Sequence, residues 1–225
     1  CKRQKLNTLN GMKKVLSKTI GSSFDWVNNF TGKCIEYERL NKYRFERDEF
    51  VIAVGTYTIE DVYGIQDKNV TKIRYCHGFS EHLGEYSRKV WALPMKTISV
   101  SHTLEKRIKD LTGKKPCVVV ENAIDLKSYY KEEEIKKRNI GMIYNTNQKK
   151  APEFTIALAD ELTMTHREIP VVIFSSNRRP ASLNKTVKFY YKPEISKARE
   201  LYNSAKYWLV TSHSEGFCLP ILEAM

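Results

Sequence analysis

Short apolar runs alternate with amphipathic stretches along this chain, and this alternation limits the folds that it can adopt. The runs are rich in Val, Ile and Tyr, which is typical of buried strands in parallel sheets. The predicted strands are Lys33–Glu38, Phe50–Val54, Lys72–Cys76, Thr97–Val100, Pro116–Val120, Ile140–Asn145, Pro170–Ser175, Val187–Tyr191 and Tyr207–Thr211. Because helical patterns separate many of these strands, the sequence predicts an α/β fold with two doubly wound, Rossmann-like sheets.

Several of the intervening segments have helical spacing. In one of them, Leu104, Ile108 and Leu111 recur on a single face, and a glycine follows where a C-terminal cap belongs. Pro152 stands at a favourable first helical position of another, and a further helix is expected over Ser196–Ala205. Each strand-helix-strand unit is expected to cross over in the right-handed sense.

A charged stretch at Lys127–Asn139 has little to bury and is the best place for a domain boundary. The sequence therefore predicts one domain at residues 1–126 and a second at 127–225. The pattern alone leaves an alternative open, in which this stretch is an exposed helix between neighbouring strands.

The size and composition of the chain exclude several classes of protein. Its 225 residues are 41% hydrophobic, which is ordinary for a folded chain, and no apolar run approaches the roughly 20 residues that span a bilayer. The basic N-terminus lacks the apolar stretch of a signal peptide. Five scattered cysteines without a C-x-x-C pair argue against a disulfide framework or a zinc site, so a reducing cytoplasm is the expected location.

A formal net charge of +12 allows two interpretations. The positive charge is either an ordinary solvated surface or a means of peripheral contact with an anionic membrane. A nucleic-acid partner is not expected, because charge alone suggests one and no aromatic-basic motif supports it.

The segment from Tyr207 to Met225 carries the clearest chemical signal. A buried strand runs into a polar loop and then into a helix opened by proline, and ligands of open parallel sheets bind at such strand ends. Free backbone N–H groups at the helix start favour a diphosphate, and Gly216 allows a ligand to approach the backbone closely. Glu215 and Glu223 frame the loop and can accept hydrogen bonds from sugar hydroxyls.

The stretch Ser214–Met225 reads SEGFCLPILEAM. It resembles the S-E-G-F-G-L-P-x-x-E-A-M signature of group 1 glycosyltransferases, the retaining family 4 enzymes of the GT-B fold. The resemblance implies transfer of a sugar, with retention of configuration, from a nucleotide-diphosphate-sugar to a glycan or lipid-linked acceptor. By this resemblance Glu215 is catalytic and holds donor hydroxyls near the anomeric carbon, while Glu223 binds the ribose. Residues 1–126 would face the acceptor, and 127–225 would bind the donor.

The family's donor domain opens with a strand that ends in Gly-Arg, followed by a lysine, and both cations contact the diphosphate. Lys150 matches the lysine, whereas Asn145 stands at the arginine position and cannot replace a bidentate guanidinium. Lys149 or Arg178 is a candidate to supply the missing charge. The remaining donor-binding residues implied by the resemblance are Gly216, Phe217, Cys218 and Leu219, whose loop N–H groups would stabilise the departing diphosphate. Cys218 replaces a glycine of the signature.

The acceptor side contributes one candidate. His77 follows a predicted strand in a segment that resembles a loop of a bacterial polysaccharide-biosynthesis branch of the family, and it is therefore a candidate catalytic residue. A structural role is the alternative, and a metal site built from Cys76, His77 and His82 lacks further ligands. No metal and no cofactor is expected, since the nucleotide-sugar is the co-substrate.

The opening strands and the closing passage of the family are not found in residues 1–225, so the chain is expected to be the middle of a longer enzyme with both domains incomplete. Asn145 and Cys218 favour a second hypothesis, a degenerate sugar-nucleotide-binding module without turnover.

Overall fold

The computed structural model describes Phe45 and residues 49–78, 84–116 and 118–225, which fall into two compact units. The first unit is Cys1–Glu121 and the second is Asn122–Met225. The predicted strand Lys33–Glu38 lies outside the described residues. The division falls a few residues before the boundary at 126/127 that the sequence predicted.

The described part of the first unit is a parallel sheet with helices between its strands. Its elements are β1 (Phe50–Val54), α1 (Thr56–Tyr63), β2 (Thr71–Cys76), α2 (Gly84–Ala92), β3 (Lys96–Ser99), α3 (His102–Thr112) and β4 (Val118–Val119). The strands are ordered β1-β2-β3-β4, so neighbours along the chain are also neighbours in the sheet.

Helix α3 shows how local sequence sets an element of this unit. The Ser101 side chain accepts a hydrogen bond from the N–H of Leu104, and Gly113 closes the helix with a φ of 71°. Leu104 and Ile108 are buried as predicted. Leu111 is 45% exposed, because it lies in the last turn of the helix, and the buried face is therefore shorter than the sequence predicted.

A buried arginine lies within the first unit. Arg74 donates from Nε to Thr97 Oγ1 (2.7 Å) and from Nη1 to the carbonyl of Val90 (3.1 Å), and its guanidinium stacks over the Trp91 ring. Burial lowers the pKa of Arg74 below its ordinary value. These two bonds and the ring hold the guanidinium inside the fold.

The second unit is also a parallel sheet flanked by helices. Its elements are β5 (Asn139–Ile143), a 3₁₀ turn (Gln148–Lys150), α4 (Pro152–Thr165), β6 (Val171–Ser175), β7 (Lys188–Tyr191), α5 (Ile195–Ser204), β8 (Ala205–Leu209) and α6 (Leu219–Ala224). The strand order is β7-β6-β5-β8. Strands β6 and β7 are thus added on one side of β5, and β8 pairs with β5 on its other side. The order of the strands reverses between β5 and β8, which makes this a topological switch point.

The two faces of this sheet are packed differently. On one face, Met142 and Ile173 are completely buried in a core with Ala159 of α4. On the other face, the Trp208 ring of β8 lies directly over Gly141 of β5, where an added Cβ would overlap the ring atoms. The absence of a side chain at this strand position therefore makes room for an indole.

The charged segment before β5 contains no helix, so the alternative of an exposed helix over Lys127–Asn139 is wrong. The segment is instead fastened to α5, where Arg199 donates from Nε to Glu132 (2.5 Å) and from Nη1 to the carbonyl of Ser128 (3.1 Å). Asn203 adds two further bonds, accepting from the N–H of Glu132 and donating to the carbonyl of Tyr130. These contacts replace the helical hydrogen bonds that the segment does not form.

Candidate functional site

Two loops meet at the carboxyl ends of β5 and β8, on either side of the switch point. In the first loop, Asn145 Oδ1 accepts from the N–H of Asn147 (2.8 Å), and Asn147 Oδ1 accepts from the N–H of Lys149 (3.0 Å). These bonds wind the chain into the 3₁₀ turn. Ala151 then adopts a φ of 49°, uncommon for a residue with a side chain, and leads directly into α4. The loop is thus shaped by its own side chains.

The second loop is tied to the first by its backbone and by two threonines. His213 donates its N–H to the carbonyl of Lys149 (2.9 Å), and Thr211 Oγ1 donates to the carbonyl of Lys150 (3.3 Å). Thr211 is also hydrogen-bonded to Thr155 of α4 through their hydroxyls (2.7 Å). The sequence predicted β8 at Tyr207–Thr211, but the strand ends earlier, at Leu209, because Thr211 leaves the sheet to make these bonds.

An ion pair joins the two loops at their tips. Lys150 Nζ donates to both carboxylate oxygens of Glu215, at 2.5 and 2.7 Å. The side chains are 35% and 23% exposed respectively, so the pair is shielded but open to solvent. The sequence named both residues for the donor site without predicting their contact, and the structure brings them together.

A small cleft of about 140 Å³ opens beside this ion pair. Several residues predicted to bind the donor line it, together with the ends of β5 and β8. Its lining consists of Ile143, Asn145, Lys150, Trp208, Leu209, Val210, Thr211, Ser212, Glu215, Cys218 and Pro220. Lys150 is the only cation in this lining. Lys149 and Arg178, the candidates to supply the charge of the missing arginine, do not line the cleft.

Asn145, which stands where the resemblance to group 1 glycosyltransferases would place an arginine, brings no charge to the cleft. Its Oδ1 is engaged by the backbone of Asn147, so the side chain shapes the loop while it lines the cleft. Cys218 also lines the cleft, and its thiol occupies space that a glycine would leave empty. Burial, followed by the nearby charge of Glu215, raises the pKa of the Cys218 thiol above its ordinary value.

Glu223 lies on α6, outside the lining of this cleft. Its Oε2 accepts a hydrogen bond from the hydroxyl of Tyr202 at 2.5 Å. Burial raises the pKa of Glu223, while the bond from Tyr202 opposes that shift. The partner hydroxyl was not predicted from the sequence; Tyr202 lies on α5, in the helix that the sequence predicted over Ser196–Ala205.

The remaining donor-binding candidates lie in the loop between Glu215 and α6. Gly216, Phe217 and Leu219 are partly buried, and none of them lines the cleft. The N–H of Leu219 donates to the carbonyl of Phe217 at 3.0 Å. A diphosphate that used this N–H would have to displace that bond, so the donor role predicted for Leu219 needs a rearrangement of the loop.

His77 belongs to the first unit and directly follows β2. Its ring is exposed and packs edge-on against Tyr75, with centroids 4.4 Å apart. Desolvation by nearby protein atoms lowers the pKa of His77 below its ordinary value. A catalytic role for His77 stays a prediction. The metal site considered with Cys76 and His82 falls partly outside the described residues, and within them no group of three or more His, Cys, Asp or Glu side chains could hold a metal.

No family model and no curated protein sequence matches this chain significantly. Its fold, in contrast, matches many solved structures. A crystal structure of TarM has a TM-score of 0.64 at 14% identity, over 79% of this chain and 40% of TarM. Sucrose-phosphate synthase from Thermosynechococcus elongatus has a TM-score of 0.62 at 13% identity, over 78% of this chain and 53% of that protein.

The pneumococcal O-GlcNAc transferase GtfA, solved in complex with UDP and GlcNAc, matches with a TM-score of 0.55 at 17% identity, over 79% of this chain and 40% of GtfA. These structures are GT-B glycosyltransferases. The two parallel α/β units therefore have the GT-B fold, and the chain spans about half or less of the length of these three proteins. At such low identity the likeness establishes the fold, while the chemistry has to be argued from the site.

Proposed function

We propose that this chain belongs to a glycosyltransferase that moves a sugar from a nucleoside-diphosphate-sugar donor to an acceptor hydroxyl. The observation that carries the proposal is the ion pair between Lys150 and Glu215 beside a cleft at the switch point of the second sheet. Ligands of open α/β sheets bind at this location. A cation and a carboxylate held together there match two adjacent parts of such a donor, its diphosphate and the hydroxyls of its transferred sugar.

The chemistry follows from these two charges. In the transfer, the bond between the anomeric carbon and the diphosphate oxygen breaks, the acceptor oxygen bonds to the same carbon, and the proton of the acceptor hydroxyl passes to the departing diphosphate. Negative charge develops on the departing diphosphate, and Lys150 Nζ stabilises it. Glu215 accepts hydrogen bonds from hydroxyls of the transferred sugar and orients the anomeric carbon. In this proposal the configuration at that carbon is retained.

UDP-sugars are the first donors to test. GtfA was solved with UDP and GlcNAc, and a TarM variant was solved with UDP and α-GlcNAc-glycerol. The proposed acceptor is a glycan or a lipid-linked glycan, with His77 as the candidate acceptor-side residue. No described helix is long and apolar enough to cross a bilayer. We place the reaction in the cytoplasm, where the net charge of +12 would favour peripheral contact with an anionic membrane.

A sugar-nucleotide-binding module without turnover is the second candidate. It is favoured by the cleft itself, whose lining includes one cation, an amide at the position of the family's arginine, and a thiol in place of a glycine. A diphosphate held by a single lysine would be bound less tightly than one held by two cations.

One experiment separates the two candidates. The full-length protein is incubated with UDP-, GDP- and dTDP-sugars, and both sugar transfer and donor hydrolysis are followed, alongside calorimetric binding. We expect turnover with at least one donor and a loss of about a hundredfold or more in Glu215→Gln, whose thermal unfolding stays near that of the wild type. Binding without turnover would favour the module, and neither binding nor turnover would refute both candidates.

A further inference from the structure

We propose that Tyr202 is a positioning residue for the donor nucleotide. Its hydroxyl holds one oxygen of the Glu223 carboxylate, so that the other oxygen can accept hydrogen bonds from the ribose. This inference rests on the proposed function, because it takes the ligand to be a nucleotide-sugar donor whose ribose binds Glu223. It assigns a role to Tyr202, which is buried, and thereby connects the interior of the second unit with the proposed nucleotide-binding surface.

The bond between the two residues has the geometry of a charge-assisted hydrogen bond. Tyr202 donates from its hydroxyl to Glu223 Oε2 at 2.5 Å. Tyr202 is only 4% exposed, and the Glu223 side chain is partly buried. A carboxylate in such surroundings loses much of its hydration, and a donor from the protein interior compensates for part of that loss.

The position of the Tyr202 hydroxyl is fixed by the rings around it. The Trp208 ring lies 4.3 Å from the Tyr202 ring between centroids, Phe174 lies edge-on at 5.4 Å, and Tyr129 lies at 6.0 Å. Trp208 takes its place because Gly141 has no side chain beneath it. We call these four rings, of Tyr129, Phe174, Tyr202 and Trp208, the aromatic cluster. A ring held on several sides cannot swing, and it therefore determines where Glu223 points.

The free oxygen of Glu223 is placed to meet a nucleotide. Pro220 lines the cleft, and Glu223 follows it by one helical turn on α6, on the same side of the helix. Trp208 connects the two sites, since it belongs to the aromatic cluster and also lines the cleft. A nucleotide whose diphosphate meets Lys150 can thus extend along α6 towards Glu223.

The test removes the ribose hydroxyls of the nucleotide and, separately, the hydroxyl of Tyr202. UDP, GDP and ADP are titrated calorimetrically into the full-length protein, and the tightest of them is compared with its 2′,3′-dideoxy form. We expect the wild type to prefer the ribonucleotide by about tenfold or more. Tyr202→Phe should lose most of this preference while it binds the dideoxy form as the wild type does. Tyr144→Phe, a buried tyrosine in the core on the opposite face of the sheet, is the matched control and should keep the preference.

Each other outcome is informative. If Tyr202→Phe weakens both nucleotides equally, or neither, Tyr202 has a structural role only and the inference is wrong. If the wild type binds both nucleotides equally well, the proposed role of Glu223 in binding the ribose is wrong, and the role of Tyr202 is wrong as well. If the wild type binds no nucleotide at all, the proposed function fails as well. Should Tyr202→Phe not fold, Trp208→Phe loosens the aromatic cluster while it keeps the hydroxyl, and it should show a partial loss of preference. An intact preference in Trp208→Phe would then contradict the inference.

Discussion

The two sheets have similar elements but differ in strand order, and the difference decides where a site can form. In the described part of the first unit the strands follow one another as β1-β2-β3-β4, and in the second the order reverses about β5. A reversal sends the loops after β5 and β8 to opposite faces of the sheet and leaves a crevice between them. Lys150 and Glu215 meet in that crevice, whereas His77 follows a strand within a sequential run.

The charged residues of the two units illustrate the same difference. Arg74 is buried in the first unit, where a hydroxyl, a carbonyl and a ring hold it. Lys150 and Glu215 neutralise each other and stay partly open to solvent beside a cleft. A charge whose partners all lie inside the fold serves structure, and a shielded pair at a strand end is available to a ligand.

The largest effect is expected from removing the cation of the cleft. Lys150→Gln should lower kcat/KM for sugar transfer by about a hundredfold to a thousandfold, because the charge on the departing diphosphate loses its stabilising partner. Steady-state kinetics in the full-length protein measure this. Lys197→Gln is the matched control, since Lys197 forms an ion pair of 2.6 Å with Glu200 on α5, away from the cleft. If kcat/KM fell equally in the two variants, the ion pair beside the cleft would have no special role compared with the ion pair on α5.

The next effect concerns the glycine beneath the indole. Gly141→Ala should destabilise the second unit by about 1–3 kcal/mol, because the new methyl group overlaps the Trp208 ring. Gly113→Ala in the first unit has open space around it and only a left-handed φ of 71°, so it should cost about 1 kcal/mol. Chemical denaturation compares the two variants. Combining Gly141→Ala with Trp208→Leu should recover part of the loss, and no recovery would show that the ring is not the cause.

The two described cysteines provide a smaller effect. Cys76 is buried in the first unit, and burial raises its pKa to about 12, so it should resist alkylation in the folded protein. Cys218 lines the cleft and should react slowly, faster as the pH rises. UDP at about ten times its dissociation constant should slow alkylation of Cys218 roughly tenfold. Peptide mass spectrometry separates the sites, and a Cys218 rate that is unaffected by any bound nucleotide would place the nucleotide elsewhere.

The smallest effect is the dependence of stability on pH at Glu223. Burial raises its pKa in the folded state, so the folded protein binds the proton more tightly than the unfolded chain does. The ionised form therefore costs stability at neutral pH, and this cost disappears as the pH falls through the folded pKa towards the ordinary value. Glu223→Gln, which does not titrate, should have a higher Tm than the wild type at pH 7.5, and the gap should shrink towards pH 5. A lower Tm of the variant at pH 7.5 would contradict this sign.

Local patterns predicted most of the fold. All the predicted strands that fall on described residues form, at least in part, since short runs of Val, Ile and Tyr favour buried strands of parallel sheets. Helices α1 and α2 were missed. Thr56–Tyr63 contains β-branched residues and tyrosines, which favour strands, yet Ile59 and Val62 are buried against the sheet. In this case tertiary packing overrode local propensity.

Some residues that line the cleft were named from the sequence, but their contacts were not predicted. The resemblance of Ser214–Met225 to the group 1 signature pointed to Glu215 and Glu223, and the resemblance of the segment that begins with β5 pointed to Lys150. The bonds that Lys150 and Glu223 form depend on side chains far away in the sequence. Neither the ion pair nor the bond from Tyr202 leaves a local pattern. The loop bond of Asn145 could have been anticipated, because Asn often accepts from the N–H two residues on.

The central claim is that the cleft beside Lys150 and Glu215 receives the donor's diphosphate. A crystal structure of the full-length protein with UDP, or with the nucleotide that binds most tightly, tests it directly. Diphosphate oxygens are expected within about 3 Å of Lys150 Nζ, with the ribose towards Glu223. A nucleotide bound in the crystal away from Lys150, with the bonds from Lys150 to Glu215 unchanged, would contradict it.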